Sequence, residues 1–216
     1  MNQTALDAIC ARYKVADLAG SLPLELAGGV RADLPHLFRD LGYTVGAEIG
    51  VWQGEFSEAL CQGIPDLHLF AVDPWVRYKD YHDYELRASL EAAREMAMAR
   101  LAAFRHVTII PKFSLEAAED IPDNSLDFVY IDANHGFEYV VADLAAWTKK
   151  VKPGGIISGH DYVNIRRSIP GFRVVEAVQG WTRANDINPW FILGRTKVHP
   201  DREPRDKERS YLWVKP

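Results

Sequence analysis

Short apolar runs bounded by turn residues alternate along this chain with longer stretches whose apolar positions recur at helical spacing. The runs are a segment ending in Glu48, then Leu67–Val72, Val107–Ile110, Phe128–Ile131, Ile156–Ser158, Trp190–Leu193 and Tyr211–Val214. Each is too short for a helix and reads as a strand, and the run from Phe128 has the continuous apolar character of a buried parallel strand. Between them, helices are predicted from about Phe56 or Ser57, over Leu86–Phe104, Leu115–Asp120 and Tyr139–Val151, and around Val174–Arg183. Met96 and Met98, on the long Ala/Leu/Arg/Glu helix, are read as core filler. Ahead of this alternation, Leu6, Ile9, Tyr13 and Val15 fall near helical spacing. Leu34–Leu41 forms a second short helix stopped by Gly42. Residues 1–44 are therefore expected to be a helical extension packed on the core, and 45–216 the main unit of a single domain.

Strand–helix–strand units place successive parallel strand ends at one edge of a sheet, where ligands of open α/β sheets bind. The strand at Phe128–Ile131 runs into Asp132 and His135, and the one at Ile156–Ser158 into His160 and Asp161. Lys149, Lys150 and Lys152, then Pro153-Gly154-Gly155, end the helix between them. Two acids and two imidazoles are thereby expected in one crevice. Singly, each could be a helix cap, a turn residue or a satisfied polar group; together, at adjacent strand ends, they read as a site.

Upstream, VGAEIGVWQGEFSEAL (Val45–Leu60) is a strand, a turn through Gly50 and Gly54, and a helix start. Glycines let a ligand approach the backbone, and a helix N-terminus offers unpaired N–H groups. The third glycine of the dinucleotide fingerprint is missing. Glu48, just before the turn, would repel a phosphate and suit an ammonium group. Asp73, ending the next strand before Pro74-Trp75, is placed to accept ribose hydroxyls or to act as an N-cap for the succeeding segment.

Composition narrows the partners. The 216 residues are 48% apolar and 25% charged, ordinary for a soluble globular domain, with net charge −5. That balance argues against a general nucleic-acid binder, and the arginines of Arg195–Ser210 alternate with acids as a solvated loop does. Cys10 and Cys61 form no metal or redox motif and read as reduced thiols. No membrane-spanning run or secretory leader is evident, so a cytoplasmic protein without membrane partner is expected.

The runs AEIGVWQGEFS, AVDPW, DFVYIDANHGFEYVVADLAAW and VKPGGIISGHDY, in this order over about residues 45–162, resemble class I S-adenosylmethionine-dependent methyltransferases. More narrowly they are similar to the metal-dependent small-molecule O-methyltransferases of the macrocin and catechol type. The resemblance implies a Rossmann-like three-layer α/β sandwich, with a mostly parallel seven-stranded sheet ending in an antiparallel hairpin. It implies S-adenosylmethionine lined by Glu48, Gly50, Val51, Trp52, Gly54, Ser57, Asp73, Trp75, Ser114 and Asp132. Glu48 and Gly50 would then meet the methionine end, Asp73 the ribose, and Ser114 the adenine. The implied metal ligands are Asp132, His160 and Asp161, with His135 as general base. The family pattern has an acid where His160 stands, so an imidazole-tolerant ion competes with Mg or Mn.

Such chemistry moves a methyl group from a sulfonium to an oxygen that must lose its proton. A cation can lower that oxygen's pKa, and a histidine can accept the proton near neutral pH. The expected partner is a hydroxylated sugar or phenolic compound, and a homodimer through the N-terminal helices is one assembly considered. Alternatives are a metal-independent O- or N-methyltransferase with His135 as sole base, a non-catalytic cofactor-binding module, and a nicotinamide oxidoreductase. Glu48 and the incomplete glycine pattern disfavour the last.

Overall fold

A computed structural model describes residues 4–77, 90–163, 171–194 and 209–216. The aromatic cluster Tyr78, Tyr81, His82 and Tyr84, the segment 164–170 and residues 195–208 of the charged loop lie outside the described residues. The elements in chain order are α1 (Ala5–Tyr13), β1 (Leu24–Leu26), a 3-10 turn (Arg31–Asp33), α2 (Leu34–Asp40), β2 (Val45–Ile49), α3 (Glu55–Gly63), β3 (His68–Val72) and α4 (Leu90–Leu101). There follow β4 (Val107–Ile110), α5 (Ser114–Glu119), β5 (Leu126–Ile131), α6 (Phe137–Lys150), β6 (Val151–Gly159), α7 (Val174–Ala184), β7 (Phe191–Leu193) and β8 (Tyr211–Val214).

One sheet collects the strands in the order β1-β7-β8-β6-β5-β2-β3-β4. All described pairings are parallel except those of β8, which runs antiparallel to β6 and β7. The alternating pattern and the antiparallel end of the sheet are as expected. An eighth strand is not: β1 arises inside the extension read as helical and pairs with β7, Leu24 opposite Phe191. Three residues with one buried side chain carry no detectable period, so only the pairing partner makes them a strand.

The period of two along β5 builds both cores. Val129 and Ile131 face one way, into a cluster with Leu144, Trp147, Val178 and Trp213. Phe128 and Tyr130 face the other, toward Leu34, Phe38, Phe56 and Leu60. Helices α5, α6 and α7 thus cover one face and α1, α2 and α3 the opposite one, giving three layers. Helix α4 packs through Ala93, Ala97 and Leu101, whereas Met96 and Met98 are 42% and 44% exposed. The reading of these methionines as core filler is therefore corrected: small alanines allow close helix approach, and the long side chains take the outer face. No helix among the described residues is long and apolar enough to cross a membrane.

Candidate active site

The chain crosses the sheet outward from β2 through β3 to β4, then returns to place β5 on the other side of β2. The crevice of such a sheet opens where the order reverses, between β2 and β5. Ladder register fixes what stands there: Ile49 lies opposite both Val72 and Ile131, and Ile131 opposite Gly159. The next residues along these strands, Gly50, Asp73, Asp132 and His160, are therefore neighbours. The ladder continues through them, with Gly50 N–H donating to Val72 O (2.8 Å), Asp132 N–H to Ile49 O (2.7 Å) and His160 N–H to Ile131 O (3.0 Å).

Gly50 has φ +92°, and a Cβ built on it would stand 1.9 Å from the Asp132 carbonyl oxygen. Both conditions demand glycine. Beyond it, Gly54 caps α3 in the left-handed region and offers the helix's first N–H groups no side-chain cap. The loop between is held by Asp73. Its Oδ2 accepts from Val51 N (3.0 Å) and Trp52 N (2.9 Å), and its Oδ1 from Trp75 N (2.7 Å). Trp75, itself buried, returns an indole hydrogen bond to Trp52 O at 2.8 Å. Burial raises the Asp73 pKa, and the three N–H donors oppose it. Asp73 thus shapes the loop, a duty that its position as a lone acid after a strand did not announce.

Glu48 is 2% exposed, with the Ser57 hydroxyl donating to its Oε2. Burial pushes it up to about 8, opposed by Ser57 and reinforced by Asp132. A cation arriving in the crevice would reverse that balance. Asp132 goes the other way: burial acts against its charge, but His135, His160 and Arg31 together hold its pKa below the usual carboxylate value.

The acids and imidazoles gather as expected. His135 Nε2 is 2.7 Å from Asp161 Oδ2 and 3.8 Å from Asp132 Oδ1. His160 Nδ1 is 3.5 Å from Asp132 Oδ2 and 3.6 Å from Asp161 Oδ1. Asp161 adopts φ +59°, a left-handed conformation that aspartate tolerates better than most residues. His135 is fixed from outside the sheet: its ring packs on Phe172 at 4.7 Å, and Arg173 N–H donates to its carbonyl at 2.8 Å. One ligand atom each from Asp132, His135 and Asp161 lies within 4.8 Å of the others, a separation one ion can bridge. Two carboxylates with imidazole nearby suit a first-row divalent metal better than Mg²⁺.

Ser114 is placed differently. Its hydroxyl donates to Asp143 Oδ1 at 2.5 Å and accepts from Trp147 Nε1 at 2.9 Å, so it ties α5 to α6. Its hydroxyl proton is thus engaged by Asp143. Arg31, on the 3-10 turn, was not anticipated at all. Its Nη1 lies 3.4 Å from Asp132 Oδ2, and its guanidinium sits over the Phe56 ring at 5.2 Å. One arginine among glycines and prolines gives no periodic or motif signal that it would reach the crevice.

Comparison with known proteins fits this geometry. Residues 47–162 match a family model described as a methyltransferase domain. A curated relative, the uncharacterized protein y4gI of Sinorhizobium fredii, is 27% identical over 108 residues, covering 49% of this chain and 11% of that protein. The chain thus aligns with about a tenth of that relative's length. Among solved structures, one from Staphylococcus aureus provisionally named a caffeoyl-CoA O-methyltransferase superposes with TM-score 0.60 at 19% identity, over 86% of this chain and 82% of that one. One from Klebsiella pneumoniae, provisionally named an O-methyltransferase, gives 0.58 at 17% identity over 98% and 90%. An rRNA methylase from Streptococcus thermophilus gives 0.54 at 8% identity over 80% and 87%. Identities this low establish a common fold, and the named substrates differ between these neighbours.

Proposed function

We propose that this chain, which belongs to the methyltransferase-domain family, transfers the methyl group of S-adenosylmethionine to a hydroxyl of a small sugar or phenolic compound. The observation that carries this is the convergence of Asp132, His135, His160 and Asp161 beside the glycine loop. When bound, the cofactor would supply an electrophilic methyl group, and a divalent ion held by Asp132 and Asp161 beside the imidazoles would supply charge that eases loss of the hydroxyl proton. Glu48 and the glycine loop hold the methionine end. Asp73 keeps Val51 and Trp52 in place while its remaining acceptor capacity faces the ribose. His135 takes the substrate proton, and Asp161, whose Oδ2 stands 2.7 Å from its Nε2, offsets the charge the ring gains. Phe172 restricts the ring's rotation and excludes water from one side.

A second reading rests on the same 2.7 Å contact: an Asp161–His135 dyad can serve as base without a metal. Methylation of a panel of catechols, hydroxylated macrolide sugars and simple amines, with labelled S-adenosylmethionine, separates the two. Oxygen methylation abolished by a chelator and restored by Mn²⁺ or Co²⁺ supports the metal-assisted form. Activity indifferent to the chelator leaves the dyad. Tight cofactor binding with no product from any acceptor class would overturn the catalytic reading.

A further inference from the structure

Arg31 precedes the matched methyltransferase segment, yet the fold delivers it to the point where the strand order reverses. Its turn is well anchored. Asp33 Oδ2 accepts from Val30 N (3.1 Å) and from the Tyr13 hydroxyl (3.4 Å), and Leu34 next to it is fully buried. The guanidinium then reaches two elements at once, lying over the Phe56 ring of α3 and beside the carboxylate of Asp132 at the end of β5, where Tyr130 also acts on it. Glu48 acts on it electrostatically as well.

The amino-acid end of S-adenosylmethionine is a zwitterion. Its ammonium finds Glu48 and Asp132, but the same crevice also holds Asp73 and Asp161. A carboxylate entering beside these acids gains most from a permanent cation that meets it directly. Arg31 is such a cation, with a planar fork suited to carboxylate. It stands on the side of α3, the helix that follows the glycine loop, whereas His135 packs toward Phe172 at the start of α7. The side of the crevice that Arg31 occupies is therefore the cofactor's.

We propose that Arg31, carried by the N-terminal 3-10 turn, binds the methionyl carboxylate of S-adenosylmethionine, exchanging its contact with Asp132 for the ligand while Asp132 and Glu48 receive the ammonium. The N-terminal segment thus completes the cofactor site. This rests on the reading of S-adenosylmethionine as cofactor.

The test is calorimetric binding of three ligands to the full chain and to Arg31→Gln and Arg31→Lys: S-adenosylhomocysteine, its decarboxylated analogue, and 5′-methylthioadenosine. Arg31→Gln is expected to weaken S-adenosylhomocysteine about 10- to 100-fold, the range for a charged hydrogen bond, with the other two ligands unchanged. Arg31→Lys should recover part of the loss. Equal losses for all three ligands would assign Arg31 a structural role and overturn the proposal, as would no loss for any. Unchanged S-adenosylhomocysteine binding with a raised KM for an acidic acceptor would move the residue to the substrate, also overturning it. Failure of the unmodified chain to bind S-adenosylhomocysteine would instead refute the cofactor reading itself.

Discussion

Asp143 offers a stringent test of the packing described above. It lies on α6, is 4% exposed, and its Oδ1 accepts the Ser114 hydroxyl, which is tied in turn to Trp147. Burial pushes its pKa up to about 7, and the Ser114 hydrogen bond offsets only part of this. In the unfolded chain the group titrates near the ordinary aspartate value of about 3.9. Between those values the folded state keeps a proton that the unfolded state releases, so stability is fully present at low pH and is lost as pH rises toward the folded pKa. At about 1.4 kcal/mol per pH interval of one, the full penalty is about 4 kcal/mol, of which about 3 kcal/mol falls between about pH 5 and about pH 8. Asp143→Asn preserves an acceptor for Ser114 and cannot ionise. The difference in urea unfolding free energy, variant minus parent, should therefore grow by about 3 kcal/mol in the variant's favour from pH 5 to pH 8. Because it is a difference, the other titrating groups cancel. Parallel pH profiles for the two proteins would refute the claim that burial governs the titration of this carboxyl.

Other perturbations address the crevice. Asp73→Ala orphans the Val51, Trp52 and Trp75 amides and should cost about 3 kcal/mol or more, lowering Tm by roughly 6–12 °C; Asp73→Asn, which loses one acceptor, should cost about a third of that. Thermal scans that ranked the two variants equally would argue that Asp73 does not hold the loop. Gly50→Ala combines a left-handed backbone with a Cβ driven into the Asp132 carbonyl, so a loss above about 4 kcal/mol, or no soluble protein, is expected on expression and circular dichroism. Titration with Mn²⁺ followed by electron paramagnetic resonance should show Asp132→Asn and Asp161→Asn each weakening binding more than about tenfold. Indifference of Mn²⁺ affinity to both changes would favour the metal-free dyad. Phe172→Ala should leave cofactor affinity intact while lowering kcat, because it frees the His135 ring without touching the glycine loop.

How much was legible in the sequence depends on which forces act locally. The runs at Phe128–Ile131 and Ile156–Ser158 carry their own hydrophobic period, and the strands observed at β5 and β6 contain them. Parallel ladders then oblige the residues after each strand to meet at one edge, which is why Asp132, His135, His160 and Asp161 could be grouped from sequence spacing alone. Chain order and hydrophobic period therefore determined the α/β alternation, the crevice edge and the acid–imidazole cluster. Three features belong to the tertiary structure. β1 is a strand only because β7 offers it a free edge. Ser114 faces Asp143 and Trp147 because helix packing, not chain position, sets where a hydroxyl points. Arg31 reaches Asp132 across a separation of 101 residues, and a long-range ion pair leaves no trace in local periodicity. Local pattern encodes faces and ends of elements; only their packing decides which distant charge comes to stand beside them.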